Sequence, residues 1–312
     1  MAKSAAKEKW LIFVDTNIFL DFYRIGGESA ARQLGALDRH KDSIITGDQI
    51  RMEFLKNRQK VIVDSIKQLT KPAKLSVPPI ITDTRPVRML GKRLSEAQSQ
   101  FSKIRTNVEK ILTDPYHSDP VFKLVNRIFN HNSPLNLCRP DPQRFEIRNL
   151  ARKRFVLGYP PRKSSDTSIG DAINWEWLIR CAQNSADNHN VMIVSRDGDY
   201  GVAYGNDVFL NDWLRREFKD RVSLKRNIHL TNRLTDALRK LDEAVAPEDE
   251  QEERKIITER KIIGDDTSDL FGDREKQPRN MSRKELEEEF DKLYREMIGE
   301  ASSESKPRTV ID

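Results

Sequence analysis

The sequence predicts an α/β fold: a central, mostly parallel sheet flanked by helices, with a helical insertion and a C-terminal tail. Three observations carry this. Two apolar runs, Trp10–Val14 and Val191–Val194, lack polar alternation, as strands buried on both faces do. Both give way to acidic residues, at Asp15 and at Asp197 with Asp199. Between and after them stand stretches whose apolar residues recur at helical spacing.

Taken in order, Trp10–Val14 is the first strand, and Asp15 follows it with Thr16 and Asn17. In an open α/β sheet, ligands gather beyond the carboxyl ends of strands. Asp15 therefore stands at the mouth of a candidate site, or merely caps the short helix that Asn17 and Ile18 begin. Glu28–Asp38 reads as a helix and Ser43–Thr46 as a second strand. Thr46 with Gln49 matches a capping box, so a helix is expected to start there and run to about Leu69. Glu53 lies three residues after the apolar Ile50, on or beside the inward face of that helix.

Pro72, Pro78 and Pro79 break the chain, and an insertion follows within residues 70–160. Val87–Leu112, Val121–Phe129 and Gln143–Phe155 are read as helices, with a loop over 132–142. The last of these carries Arg148, Arg152, Lys153 and Arg154 and leads to Tyr159, Arg162 and Lys163. Cations interleaved with aromatics suit a nucleic-acid strand; the alternative is a solvated helix face. A helix follows from about Ala172 to Asn184, on which Asp171, Trp175, Leu178 and Ala182 form one stripe. Glu176 is expected to point elsewhere. After Val191–Ser195 come a short strand at Asp207–Leu210, a helix capped by Asn211, a last strand at Asn227–Leu230 and a helix from Thr231 to about Leu241.

From residue 246 the composition shifts. The stretch 246–312 holds 13 Lys+Arg and 20 Asp+Glu, a balance of −7, which leaves +13 on residues 1–245. Glu248–Glu253 reads as an acidic linker or disordered arm. Ser282 and Glu285 form a further capping box, and a helix over 282–298 would carry Leu286, Phe290, Leu293 and Met297 on one side. That stripe needs cover from the body, a protein partner or a second copy. The domain reading is thus 1–245 as one body including the insertion, and 246–312 as tail. A basic body with an acidic tail fits a partner carrying phosphates.

Several classes are excluded or disfavoured. Two cysteines and five scattered histidines make neither a disulfide framework nor a zinc site. The first apolar run is interrupted at Asp15, too soon for a signal peptide or membrane span, so a cytoplasmic protein with no membrane contact is expected. No G-x-x-x-x-G-K-[ST] or G-x-G-x-x-G loop is present.

Four carboxylates share one expectation. Asp15 and Asp197 end strands, while Glu53 and Asp171 sit near the N-terminal turns of helices. Strand carboxyl ends and helix N-termini lie at the same edge of a βαβ sheet, so the four can converge. Carboxylates without His or Cys select a hard cation, Mg²⁺ or Mn²⁺. Metal-assisted phosphodiester hydrolysis follows from such a cluster, with a 5′-phosphate and a 3′-hydroxyl as products.

In these motifs the chain resembles PIN-domain nucleases: V-D-T-N at 14–17, the helical Glu53, G-D-A-I-N-W-E at 170–176 and V-S-R-D-G-D-Y at 194–200. The likeness covers residues 10–65 and 165–242. It implies a Rossmann-like PIN fold and metal-dependent cleavage of RNA. By position it implies Asp15, Glu53, Asp171 and Asp197 as catalytic metal ligands and Asp199 as an auxiliary one. Asn17 and Ser195 would orient carboxylates or water. The 118-residue separation of Glu53 and Asp171, the insertion and the tail look like the larger bacterial PIN-like proteins. A stand-alone or phage-defence nuclease is therefore expected ahead of a small toxin with a tight antitoxin.

The competing readings are a structure-specific DNA nuclease, a haloacid-type phosphatase and a non-catalytic RNA-binding protein. Asn17 stands where a phosphatase D-x-D motif needs its second acid.

Overall fold

A computed structural model describes residues 8–67, 76–161 and 168–267. The chain divides into two units, 1–259 and 260–312, and the description concerns the first. The expected helix at 282–298, Arg162 and Lys163 lie outside the described residues.

Strand β1 (Lys9–Val14) is the spine of the sheet; Ile12, Phe13 and Val14 are fully buried. Helix α1 (Thr16–Asp21) leaves its carboxyl end directly, and α2 (Gly27–Arg39) follows. Strand β2 (Ile44–Gly47) pairs parallel to β1, with Ile12 opposite Ile44. Strand β2 runs through Gly47, so Thr46 is not a helix cap as the capping box suggested. Helix α3 (Asp48–Lys67) starts two residues later. The Thr46 backbone is held in the sheet, its N–H donating to Leu135 O at 3.0 Å and its carbonyl accepting from Trp177 Nε1 at 2.9 Å.

The insertion contains α4 (Arg85–Thr113), α5 (Pro115–Ser118), α6 (Pro120–Phe129), β3 (Asn136–Leu137) and α7 (Gln143–Val156). Part of the expected loop at 132–142 is therefore a strand. Two residues are too short to leave a period in sequence, yet β3 pairs parallel to β2 and extends the sheet. The insertion is also clamped from beneath. Arg58 of α3 and Asp119, the N-cap of α6, form a buried ion pair at 2.6 Å, joined by the Tyr23 hydroxyl at 2.7 Å from Asp119. Breaking a buried pair by removing one partner strands a charge. Arg58→Ala should therefore lower unfolding free energy by about 3–5 kcal/mol. Chemical denaturation checks this, and a loss within the ~0.5 kcal/mol of an ordinary surface change would contradict it.

Helix α8 (Gly170–Asn184) follows, then β4 (His189–Val194), β5 (Gly201–Tyr204), β6 (Asp207–Leu210), α9 (Asp212–Arg221), β7 (Ile228–Thr231) and α10 (Leu234–Lys240). The main sheet is parallel throughout, in the order β3-β2-β1-β4-β7. Strands β5 and β6 form a separate antiparallel hairpin whose turn uses Gly205 at φ +61°. Trp175, Leu178 and Ala182 are fully buried, as the stripe on α8 required. The helix is nevertheless buried almost all round from Ala172 to Ile179.

Arg154, read as one of a basic series, and Glu176, expected to point away from the apolar stripe, are both interior. Glu176 and Arg154 are each about 4 % exposed and pair at 2.8 Å. Arg221 reaches Glu176 at 2.7 Å, and Glu217 also receives Arg154. Burial alone would raise the Glu176 carboxyl, but Arg221 and Arg154 hold it below its ordinary value. Arg154 therefore ties α7 to α8 and α9 and is not available to a nucleic-acid strand.

The acidic stretch 248–253 is neither linker nor arm. It lies in helix α11 (Pro247–Thr267), and its first turns dock on the body. Asp249 accepts from Ser29 Oγ at 2.6 Å and from Arg32 Nη2 at 2.6 Å. Glu253 is 3 % exposed and Ile256 is buried. The acids are there because basic and N–H groups of the body face them.

Candidate active site

The parallel register builds the site. Val14 lies opposite Val194, so the next residues, Asp15 and Ser195, emerge side by side at the carboxyl edge. Asp15 N–H donates to Val194 O at 3.0 Å, and Ser195 N–H to Thr231 O at 3.0 Å. Asp15 is the N-cap of α1, accepting from Thr16 N–H at 2.6 Å. Its other oxygen accepts from Ser195 Oγ at 2.5 Å and Asn17 Nδ2 at 2.7 Å. Both readings of Asp15 hold: it caps a helix and it stands at the sheet edge.

Asn17 also reaches Ser195 Oγ at 3.3 Å, and Ser195 Oγ accepts from Asp197 N–H at 3.1 Å. Asp197 itself is exposed. Glu53 joins from α3, accepting from Thr16 Oγ1 at 2.9 Å and from Gln49 Nε2 at 2.6 Å. Asp171, half-buried, follows Gly170 at the start of α8. A Cβ on Gly170 would stand 2.5 Å from a Glu53 oxygen and 2.8 Å from Gln49 Nε2. Glycine is what lets the α8 N-terminus approach Glu53.

Electrostatics show that these groups share one space. Burial, then Asp197, then Glu53 push the Asp15 carboxyl up to about 7 against the hydrogen bond from Ser195. Among the described residues, the fully buried Tyr200 hydroxyl has no hydrogen-bond partner. Burial raises it well above its ordinary value, and Asp171, Asp15, Glu53 and Asp199 raise it further. Asp171, Asp15, Glu53 and Asp199 thus all act on Tyr200, and Asp197 and Glu53 act on Asp15. Among the described residues, no three acidic, His or Cys side chains stand close enough to form a ready-made metal cage. They are neighbours in field without being drawn to a common point.

The donor set nevertheless fits a hard cation. Among the described residues, the hydrogen-bond donors to Asp15 and Glu53 are neutral: hydroxyl, amide or backbone N–H. Carboxylates buried without a cationic partner repel one another, and a divalent ion relieves that repulsion. Gln49, Gly170 and Tyr200 are parts of the site that sequence reasoning did not single out, whereas Thr16 was already placed beside Asp15. Only the quoted motifs around Gly170 and Tyr200 could have signalled them.

A pH prediction follows. A carboxyl raised in the folded state binds its proton more tightly there than in the unfolded chain. Its contribution to stability is present at low pH and is lost as pH climbs from about 4 towards 7. The thermal midpoint of metal-free protein should fall between about pH 4 and 7, and Asp197→Asn should flatten that fall. Equal slopes in the two proteins would remove Asp197 as a cause.

Of the expected nucleic-acid residues, Arg152 and Lys153 are exposed on α7 and Arg148 is half-buried. Burial and the neighbouring Arg144, Arg152 and Arg139 depress Arg148, with Asp48 opposing them. Arg139 and Arg144 meet Asp48 at 3.1 and 3.8 Å, at the first residue of α3. The positive charge is therefore crowded near the α3 N-terminus, one turn before Glu53.

Fold and site define a Rossmann-like α/β protein with a carboxylate cluster at its sheet edge. A family model described as PIN domain matches residues 12–200. The match spans more than half of the chain, which belongs to the PIN-domain family, generally a family of nucleases. No curated protein and no solved structure matches the chain. No described helix is long and apolar enough to cross a membrane.

Proposed function

We propose that this protein is a metal-dependent endoribonuclease. The observation that carries the reading is the set of carboxylates around Tyr200, in which Asp15 and Glu53 receive only neutral donors. Asp15, Glu53, Asp171 and Asp197 would hold Mg²⁺ or Mn²⁺, with Asp199 auxiliary. Such an ion, when bound, supplies a hydroxide-like nucleophile near neutral pH and charge relief at the leaving oxygen. The chain's own residues do the rest. Ser195 and Asn17 fix one oxygen of Asp15, and Thr16 N–H fixes the other. Thr16 and Gln49 aim Glu53. No side-chain nucleophile is required, and the products carry a 5′-phosphate and a 3′-hydroxyl.

The basic face supports a polyanionic substrate. Arg148, Arg152 and Lys153 would contact phosphates, with Arg139 and Arg144 beside them, so binding should weaken with salt. Incubating full-length protein with matched single-stranded RNA and DNA, with Mn²⁺, Mg²⁺ or EDTA, tests the reading. Cleavage of RNA with either ion and none in EDTA is expected. Cleavage of DNA alone transfers the site to the DNA-nuclease reading. RNA binding without cleavage in any metal would overturn the enzyme assignment.

A further inference from the structure

Helix α4 spans 29 residues, yet none of its side chains is buried, and its chief packing neighbour is the four-residue α5. Most protein helices depend on tertiary packing of an apolar face. The α4 sequence keeps a seven-residue register. With Val87 as the first position, the a sites are Val87, Leu94, Phe101 and Val108. The d sites, three residues on, are Leu90, Ala97, Ile104 and Ile111. All eight are apolar. Between Arg88 and Thr113, the other positions are polar except Met89, Gly91 and Leu112. A strict a/d stripe is narrower than a helix lying on a globular core requires, and it forms the seam of a left-handed coiled coil. Leu90 and Ile104 are 48 % and 45 % exposed.

We infer that α4 is a dimerisation helix that pairs antiparallel with α4 of a second copy of this chain. Size complementarity selects both partner and direction. Phe101 is the largest side chain on the seam and Ala97 the smallest. In a parallel pair like faces like, so Phe101 would crowd its own copy and Ala97 would leave a hollow. In an antiparallel pair a faces d. With the two-fold axis at the middle of the stripe, Ala97 faces Phe101 of the second copy and Leu94 faces its Ile104. Large opposite small fills each layer, and the contact is isologous, so it closes at a dimer.

Charge agrees. The axis is flanked by the neutral amides of Gln98 and Gln100. Arg93 and Arg105 are engaged within their own helix, by Glu96 at 3.1 Å and Glu109 at 3.2 Å. No like-charge pair meets across the seam.

Sedimentation of the full-length protein across micromolar concentrations should show a dimer. Leu94→Glu with Ile104→Glu should be monomeric and still melt cooperatively, since neither side chain is buried in the monomer, and its midpoint should no longer depend on protein concentration. Direction is read by cross-linking with a short bis-maleimide in a Cys138→Ser background. Gln100→Cys lies beside its own copy across the axis and should link. Ile111→Cys is separated from its own copy by 24 residues of helix, roughly 36 Å at 1.5 Å per residue, and should not. A wild-type monomer at every concentration would overturn the inference. So would a dimer that survives the double substitution, or Ile111→Cys linking as readily as Gln100→Cys.

Discussion

Asp15→Asn is expected to reduce metal-dependent cleavage by a factor on the order of 10²–10⁴, the equivalent of several kcal/mol of lost charge stabilisation. The size follows from position. Asp15 is the only one of the four proposed ligands that is buried, and it is fixed by three donors from three consecutive or facing residues. Asparagine keeps the shape but offers one acceptor oxygen where the carboxylate offers two. Its amide would face either Thr16 N–H or the Asn17 and Ser195 donors, so a hydrogen bond is lost together with the charge. For that reason the variant's thermal midpoint in EDTA belongs beside its activity. RNA binding, read by fluorescence anisotropy in EDTA, should persist, because Arg148, Arg152 and Lys153, the residues proposed to contact phosphates, lie on α7. A variant that cuts RNA at the wild-type rate would remove Asp15 from the chemistry.

Glu253→Ala should lower unfolding free energy by about 3–5 kcal/mol, and so should ending the chain at residue 245. Ending it at 259 should cost little. Glu253 accepts from Arg196 Nη2 at 2.7 Å and from Leu234 N–H, Thr235 N–H and Thr235 Oγ1 at 2.5, 3.1 and 2.7 Å. It therefore neutralises a buried guanidinium and caps the start of α10 at once. Its removal leaves Arg196, 6 % exposed, with Asp21 as its carboxylate partner and strands the two N–H groups. For a body of this size, each kcal/mol shifts the midpoint by roughly 2–4 °C, so a drop of about 10 °C is the measurement to make. The effect should reach the site, since Arg196 N–H donates to Asn17 Oδ1 at 3.3 Å and Arg196 adjoins Ser195 and Asp197. A 1–245 fragment that melts at the same temperature and as cooperatively as the full chain would show that the docked turns of α11 are dispensable.

The acidic strand ends were legible because two signals coincide there. An apolar run needs no partner to announce a buried strand, and an acid at its end can be placed at an edge by topology alone. Glu53 and Asp171 were legible for a related reason, helical spacing against named apolar neighbours. The buried ion pairs were not. Arg154 reads as one of a basic series until Glu176 and Glu217 are seen to close around it, and nothing in local spacing announces that meeting. The same holds for Arg196 with Asp21 and Glu253. Strand β3 was hidden by its length, and the capping box at Thr46 was outcompeted by the sheet, which uses the same backbone groups.

The amino-acid sequence by itself determined the α/β class, the two central strands, the acids that end them and the family to which those motifs belong. The class, the strands and the acids rest on periodicity or spacing within some twenty residues, and the family on a resemblance of motifs spread from residue 14 to residue 200. Only the tertiary structure decided which carboxylates are paired with arginines and which are not. That distinction depends on whether a carboxylate meets a guanidinium or a neutral donor, and residues distant in the chain supply those partners. Asp15 and Glu53 meet hydroxyls and amides, whereas Glu176 and Glu253 meet arginines and hold the body together.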